Sequence, residues 1–263
     1  MPIEQPVGLH AANVPDDVAL IQALINLNLP RLPGVSFLAE DGVFGPSTSS
    51  AIQEFQQVVA TPGNTSGVIE PGSATMDALT SAITGNLDEL ILQIVMPLSA
   101  PALANRYMSP LSEAMANNEI NTPLRQAHFL AQLGHESGSL RFAAELSSGR
   151  QYEGRLDLGN TEAGDGERFK GRGLIQLTGR ANYTAFGKAR GRDFVTGGNP
   201  ELLASDPNLA ADCSGWFWSV HKLNALADSD DAVKITRVIN GGTNGLADRQ
   251  RRLKLTRCFL AAG

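Results

Sequence analysis

Only two of the 263 residues are cysteine, Cys213 and Cys258. Two thiols cannot build a disulfide framework, and they fit best as buried apolar fillers. The four histidines (His10, His128, His135, His221) show no ligand spacing with them, so neither a metal nor any other cofactor is expected. Aromatic side chains are scarce at 6%, while 27 Gly and 14 Pro imply many turns. The most apolar run, Leu90 to Leu98, is broken by Gln93 and Pro97 and falls short of the ~18 residues of a membrane span. Stable membrane insertion is therefore not expected. The opening MPIEQPVGLHAAN has neither the basic nor the apolar region of a secretory signal, so synthesis and retention in the cytoplasm are expected. Basic residues are almost missing from the first third. Residues 1–85 hold Arg31 against eight acidic residues, whereas residues 86–263 hold 20 basic and 19 acidic ones. Without a basic patch there, a nucleic-acid partner is not expected. What remains, 42% apolar and 18% charged residues, is globular composition, with length enough for one large or two smaller cores.

The chain reads as two units, 1–85 and 86–263, separated by the breaker Thr84-Gly85-Asn86. In the first, Asp16 or Asp17 is placed to cap a helix whose apolar positions Val18, Leu20, Ile21, Leu24, Ile25 and Leu27 recur at helical spacing. Asp41-Gly42-Val43-Phe44-Gly45-Pro46 reads as a turn with glycines at positive φ and Phe44 as an apolar plug. Ser47 or Thr48 opens a second helix through Ala51, Ile52, Phe55 and Val58. A loop over 61–73 leads to a third through Met76, Leu79 and Ile83.

The runs DVALIQALINLNL, EDGVFGPSTSSAIQEFQQ and GVIEPGSATMDAL resemble the peptidoglycan-binding module of bacterial and phage cell-wall hydrolases. The resemblance implies a small three-helix domain with a shallow groove for the peptide stem of the wall. For Asp41, Gly42, Phe44 and Gly45 the plain structural reading is favoured, since a turn and a core plug explain them.

The second unit reads as helical. Segments at 87–95 and 100–116 precede Asn121-Thr122-Pro123, a capping side chain with Pro in the first turn. The helix it starts runs through Leu124, Ala127, Leu130 and Leu133 to His135-Glu136. Residues 147–172 are polar and Gly-rich, suiting a hairpin or long loop, and helices follow near 180–190, 208–220, 230–239 and 245–260. Trp216 and Trp218 fit the core of one of these rather than a sugar platform.

Glu136 stands at the end of an apolar helix, where apolar neighbours and the negative helix terminus favour a protonated acid. Glu145 follows nine residues later. Two carboxylates in different settings are what glycosidic hydrolysis needs, one donating a proton and one activating water. A metalloprotease reading of His135-Glu136 fails, because Ser139 stands where the second histidine belongs. No G-x-S-x-G elbow supports a serine hydrolase either.

NTPLRQAHFLAQLGHESGSL, FKGRGLIQLTGRANY, NPELLASDPNLAADCSGWFW and VINGGTNGLADRQRR occur in the order found in family-19 glycoside hydrolases, and this chain resembles their phage and bacterial lysozyme branch. The resemblance implies a mainly α fold: a three-helix wall-binding domain, then a larger lysozyme-like domain with a small β-hairpin. It also implies roles. Glu136 is the general acid, Glu145 the general base of an inverting mechanism, and Thr178 helps hold the attacking water. Gln176 lines the cleft, Asn182 and Asn240 bind substrate, Arg249 orients the carboxylates, and His135 precedes the acid. Each has a structural alternative. Gln176 and Thr178 can satisfy backbone groups, Asn182 can be a structural amide, and Asn240-Gly241 can stop a helix. Arg249 can belong to a solvated face with Arg251, Arg252, Lys254 and Arg257, and His135 can be purely structural.

With a wall-binding module attached, the expected substrate is bacterial peptidoglycan, cut between N-acetylmuramic acid and N-acetylglucosamine. The expected actor is an endolysin, monomeric by default. It is held in the host cytoplasm until a separate protein releases it through the inner membrane to the periplasmic wall. A chitinase, a lysozyme-type effector and a non-catalytic wall-binding protein stay open as alternatives.

Overall fold

The computed structural model describes residues 3–60 and 66–260. The chain is mainly helical and divides into two compact units, Met1–Pro97 with Cys258–Gly263, and Leu98–Arg257. The sequence reading opened the second unit at residue 86. Here the helix Glu89–Val95 falls within the first unit, burying Ile91, Leu92, Ile94 and Val95.

The first unit is built round α1 (Pro15–Leu27), whose Val18, Ile21, Leu24 and Ile25 are fully buried. α2 (Pro46–Phe55), α3 (Ala74–Thr80) and α4 (Glu89–Val95) complete it, with a two-stranded antiparallel pair, β1 (Val7–Gly8) and β2 (Val68–Ile69), in the register Val7 to Ile69. A Cβ on Gly8 would lie 2.2 Å from the Gly67 carbonyl oxygen, so that pairing requires glycine. The buried amides of α1 satisfy neighbouring loops. Gln22 donates to Asp41 Oδ1 (3.0 Å), the Val43 carbonyl (3.2 Å) and Thr48 Oγ1 (3.2 Å), and Asn26 both donates to and accepts from the Leu38 backbone.

Several local expectations are corrected. Neither Asp16 nor Asp17 caps α1; Val14 is its N-cap, and Asp17 accepts from the Glu4 and Gln5 N–H groups at 3.1 and 2.9 Å. α2 starts at Pro46 without a side-chain cap, because Thr48 is taken by Gln22. Gly42 adopts φ 72°, but Gly45 is extended at φ −127°. Phe44 is half-buried rather than a sealed plug, and α3 ends before Ile83. The expected 61–73 loop lies partly outside the described residues.

In the second unit, α5 (Pro101–Asn117) and α6 (Pro123–Glu136) precede a long irregular stretch holding α7 (Asp165–Arg168), with α8 (Arg180–Arg190) and α9 (Leu202–Ser205) after it. α10 (Pro207–Val220), α11 (Leu223–Asp228), α12 (Ala232–Asn240) and α13 (Leu246–Leu260) complete the order, the second unit ending within α13 at Arg257. Thr122 caps α6 through the Arg125 N–H at 3.2 Å, as its sequence signature predicted. α10 lies against α5 closely enough that a Cβ on Gly215 would stand 2.9 Å from the Ala114 oxygen. Trp218 is fully buried edge-on to Phe129 of α6, with ring centroids 5.3 Å apart, and Trp216 is also buried. Cys213 is fully buried, and Cys258, in the first unit, is also buried. The small β element comprises antiparallel bridges from Ala144 to Arg172 and from Arg172 to Leu177. Between Ala144 and Arg172 the chain forms short helical turns, pinned where Arg180 pairs with Asp165 (2.5 Å) and Glu162 (2.6 Å).

Candidate active site

α6 carries His135 and Glu136 in its last turn, and the start of α13 packs against them. Arg249 is 2% exposed and spans the two elements: one guanidinium nitrogen donates to Glu136 Oε1 and another to Gln132 Oε1. Glu136 keeps 18% of its side chain exposed. Its surroundings are therefore not the purely apolar ones expected from helix position, because a buried cation meets it. Of the run Arg249 to Arg257, Arg249 is thus buried rather than on a solvated face. Next to it, Asp248 Oδ2 accepts from His135 Nδ1 (2.7 Å) and from Arg252 Nε (2.8 Å). Those two donors, His135 foremost, hold the Asp248 carboxyl well below the usual carboxylate range. A Cβ on Gly245 would sit 2.2 Å from His135 Cε1, so glycine is needed for α13 to reach the imidazole.

Beyond α6 the chain runs through three successive positive-φ residues, Gly138 (56°), Ser139 (62°) and Leu140 (66°). Two of these are non-glycine, a conformation costing of order 1–3 kcal/mol each. Tertiary contacts hold them. Ser139 is buried and its Oγ accepts from Arg252 at 3.0 Å, while Leu140 is buried and its N–H donates to Ser137 Oγ at 2.8 Å. This bend carries the chain from Glu136 to Glu145.

Glu145 is half-buried and collects donors. Oε1 accepts from Ser147 Oγ (2.6 Å), Gln151 Nε2 (2.8 Å) and Tyr152 O–H (3.2 Å), and Oε2 from the Gly171 N–H (3.2 Å). Its own N–H donates to the Gly171 oxygen at 2.8 Å, and Lys170 Nζ reaches its carbonyl at 2.9 Å. A Cβ on Gly171 would stand 3.0 Å from Gln176 Oε1 and 3.4 Å from Glu145 Oε2, so Gln176 and Glu145 flank one glycine. Gln176 itself takes φ 59° and donates to the Gly173 carbonyl at 3.0 Å. Thr178 Oγ1 donates to the Gln176 carbonyl at 2.9 Å, and Asn182 Nδ2 to the Thr178 carbonyl at 2.7 Å. Gln176, Thr178 and Asn182 thus all bond backbone, as the structural alternative held, and Gln176 lies across Gly171 from Glu145. Asn240 ends α12 before left-handed Gly241, so the helix stop is real; its amide donates to the Asn244 carbonyl at 3.1 Å.

Comparison with known proteins matches residues 119–250 to the glycoside hydrolase family 19 profile, described as chitinase class I. A family 19 domain-containing protein of Haemophilus influenzae is 31% identical over 198 residues, covering 64% of this chain and 94% of that protein. The chain belongs to glycoside hydrolase family 19. An Arabidopsis thaliana endochitinase is 36% identical over 116 residues, 44% of this chain, but the match spans only 38% of that relative. Among solved structures, chitinase C from Streptomyces griseus aligns with a TM-score of 0.55 at 24% identity, covering 66% of this chain and 92% of that one. A class IV chitinase from Zea mays gives 0.52 at 19%, covering 66% and 91%. These likenesses concern the fold. The family 19 match spans every candidate site residue from His135 to Arg249.

Within this glycosidase domain, sequence reasoning missed Gln132, Asp248 and Arg252 round the Glu136 end, and Ser147, Gln151, Tyr152 and Lys170 round Glu145. Tyr152 and Gln151 had a faint signal in the polar stretch after Glu145; Asp248 had its place next to Arg249. Chemically, the site offers one carboxyl oriented by a buried guanidinium and another held by neutral donors. The hydroxyl of Thr178 uses its proton internally, which leaves its lone pairs to accept from a water.

Proposed function

We propose that the chain is an endolysin that hydrolyses the β-1,4 bond between N-acetylmuramic acid and N-acetylglucosamine in bacterial peptidoglycan. The observation that carries the two-glutamate mechanism is the contrast between the carboxylates. Glu136 is gripped through one oxygen by Arg249, and its other oxygen has no hydrogen bond to a described residue. In this reading that oxygen delivers the proton to the leaving sugar oxygen. Glu145, fixed by four hydrogen-bond donors, takes a proton from water as it attacks the opposite face, and Thr178 accepts from the same water. His135, Gln176, Asn182 and Asn240 line the sugar path. The wall as substrate is supported by the separate N-terminal unit, which lies outside the family 19 match and resembles wall-binding modules. Such an enzyme acts as a monomer, held in the host cytoplasm until another protein opens the membrane to the wall.

Chitin is the second reading, favoured by the plant and Streptomyces relatives whose names are chitinases. Digestion of purified peptidoglycan, borohydride reduction and mass spectrometry separate the two. New reduced N-acetylmuramic acid ends, lost with Glu136→Gln, are the expected result. Reduced N-acetylglucosamine ends would reverse the bond specificity, and no new ends alongside cleavage of chitin oligomers would replace the proposal.

A further inference from the structure

The bend that joins the two candidate glutamates carries a cation that the mechanism above does not use. Residues 137–144 link Glu136 to Glu145, and Arg141 stands among them with an exposed side chain. It is held at one edge only. Its Nε donates to the Gly138 carbonyl at 2.9 Å, and its guanidinium carbon lies 5.1 Å from the centroid of the Phe142 ring. Nη1 and Nη2 have no hydrogen-bond or ion-pair partner among the described residues. Every other Lys or Arg between Glu136 and Asn182 is committed. Four arginines pair with carboxylates, and Arg168 and Lys170 donate to backbone carbonyls.

The backbone fixes this cation in place. Gly138 adopts φ 56°. A Cβ there would stand 2.9 Å from the Phe142 ring and 3.5 Å from Arg141 Nη2, so both side chains pack over bare backbone two residues past Glu136. The Phe142 N–H donates to the Ser137 carbonyl at 2.9 Å, and the Phe142 carbonyl accepts from Gln176 Nε2 at 3.4 Å. Gln176 is the residue across Gly171 from Glu145. The guanidinium is thereby anchored to the stretch of chain that also sets the end of α6 and Gln176. Phe142 itself stays 36% exposed.

An exposed guanidinium with an unoccupied fork suits a carboxylate, which it can take through two parallel hydrogen bonds. The two glycans considered for this enzyme differ in that group. Chitin carries none. A muramoyl residue carries a lactyl arm whose carboxyl is free in a bare strand. Where a peptide is attached, the negative charge sits on the peptide's own carboxylates instead.

We propose that Arg141 sets a preference for muramoyl glycan over chitin by pairing with a carboxylate borne on the lactyl arm of the bound strand, with Phe142 as its apolar backing. This assignment rests on the peptidoglycan reading above and adds to it a residue that discriminates between the two substrates.

The test compares the full-length wild type with Arg141→Gln on four soluble substrates. These are chitin oligomers, peptide-bearing glycan, glycan stripped of peptide by an amidase, and stripped glycan whose lactyl carboxyls are converted to methylamides. Relative to its effect on chitin oligomers, Arg141→Gln should lower kcat/KM on a charged glycan by about tenfold or more, chiefly through KM. The methylamide glycan should respond as chitin does. Loss on the stripped glycan places the carboxylate on the lactyl group, and loss confined to the peptide-bearing glycan places it on the peptide. Rising salt should shrink the wild-type preference. Arg141→Lys should recover part of it, because it keeps the charge without the fork. Melting like that of the wild type shows that the variants are folded. An equal change on all four substrates would make Arg141 a structural residue and overturn the assignment. A wild type that cleaves muramoyl glycan no better than Arg141→Gln sinks the Arg141 role alone. A wild type that cleaves only chitin oligomers sinks the peptidoglycan reading, and the Arg141 role with it.

Discussion

Arg249→Met isolates the contact on which the orientation of Glu136 depends. The wild-type guanidinium, 2% exposed, bonds Glu136 and Gln132 at once. Truncation leaves Gln132 Oε1 buried and unpaired, at about 1–3 kcal/mol. It also leaves Glu136 without its cation, and its 18% exposure admits some water and keeps that penalty below the ~3–5 kcal/mol of a fully buried broken pair. Against this, the substitution removes the desolvated charge and the partnerless Nε of Arg249. The net loss is about 2–4 kcal/mol, and at ~2–4 °C per kcal/mol the catalytic unit should melt roughly 5–15 °C lower. Turnover should fall about a hundredfold, since a displacement near 1 Å of a reacting group costs that much. The double variant Arg249→Met with Gln132→Leu separates the two effects. Removing both partners of a buried bond is nearly neutral, so melting should recover substantially while turnover stays low. Calorimetric melting and turnover on purified glycan measure both. A single variant with unchanged melting and unchanged rate would refute the reasoning, and a double variant that regains full turnover would show that the Glu136 contact does not matter.

Asp248→Asn should lower kcat about tenfold, or about 1.4 kcal/mol, through loss of the His135 hold. Melting should change little because the carboxylate is 38% exposed; an unchanged kcat would make the His135–Asp248 pair a passive contact. Burial raises the Glu40 carboxyl from 4.5 to about 8, and its Oε2 has no partner. The folded unit therefore retains a proton that the unfolded chain releases: this contribution is full below pH ~4.5 and disappears as pH rises through about 8. Glu40→Gln should accordingly raise the urea midpoint at pH 8 relative to wild type more than at pH 5, and parallel pH profiles would count against it. Glu145→Gln should reduce turnover by ~10²–10⁴ with melting nearly unchanged. An inverting enzyme must release its new reducing ends first as the α anomer, and an initial β anomer by NMR would require retention instead.

Much of the framework was legible in the residue order because it rests on short-range physics. The capping pair Thr122-Pro123 starts α6, and Asn240-Gly241 stops α12 through a left-handed glycine. Periodic apolar residues forecast the buried face of α1, and Trp216 and Trp218 went to the core as expected. Local signals failed where a tertiary partner claimed the same side chain. Asp17 and Thr48 are good helix caps by type, but one is taken by the N-terminal backbone and the other by Gln22. Three left-handed residues after α6 also run against intrinsic preference, since only one of them is glycine.

Residue order alone carries the helical character and the motifs that mark family 19, including the placement of Glu136 at a helix end. These depend on neighbours within a few residues or on ordered motifs along the chain. Tertiary structure decided which charge meets which. Arg249 reaches Glu136 across 113 positions of sequence, as Asp248 reaches His135, and no local pattern distinguishes Arg249 from Arg251 two residues on. The same holds for Gly171, which only folding sets between Glu145 and Gln176. Helix formation is a property of adjacent residues, whereas the setting of a carboxylate belongs to whatever the fold packs against it.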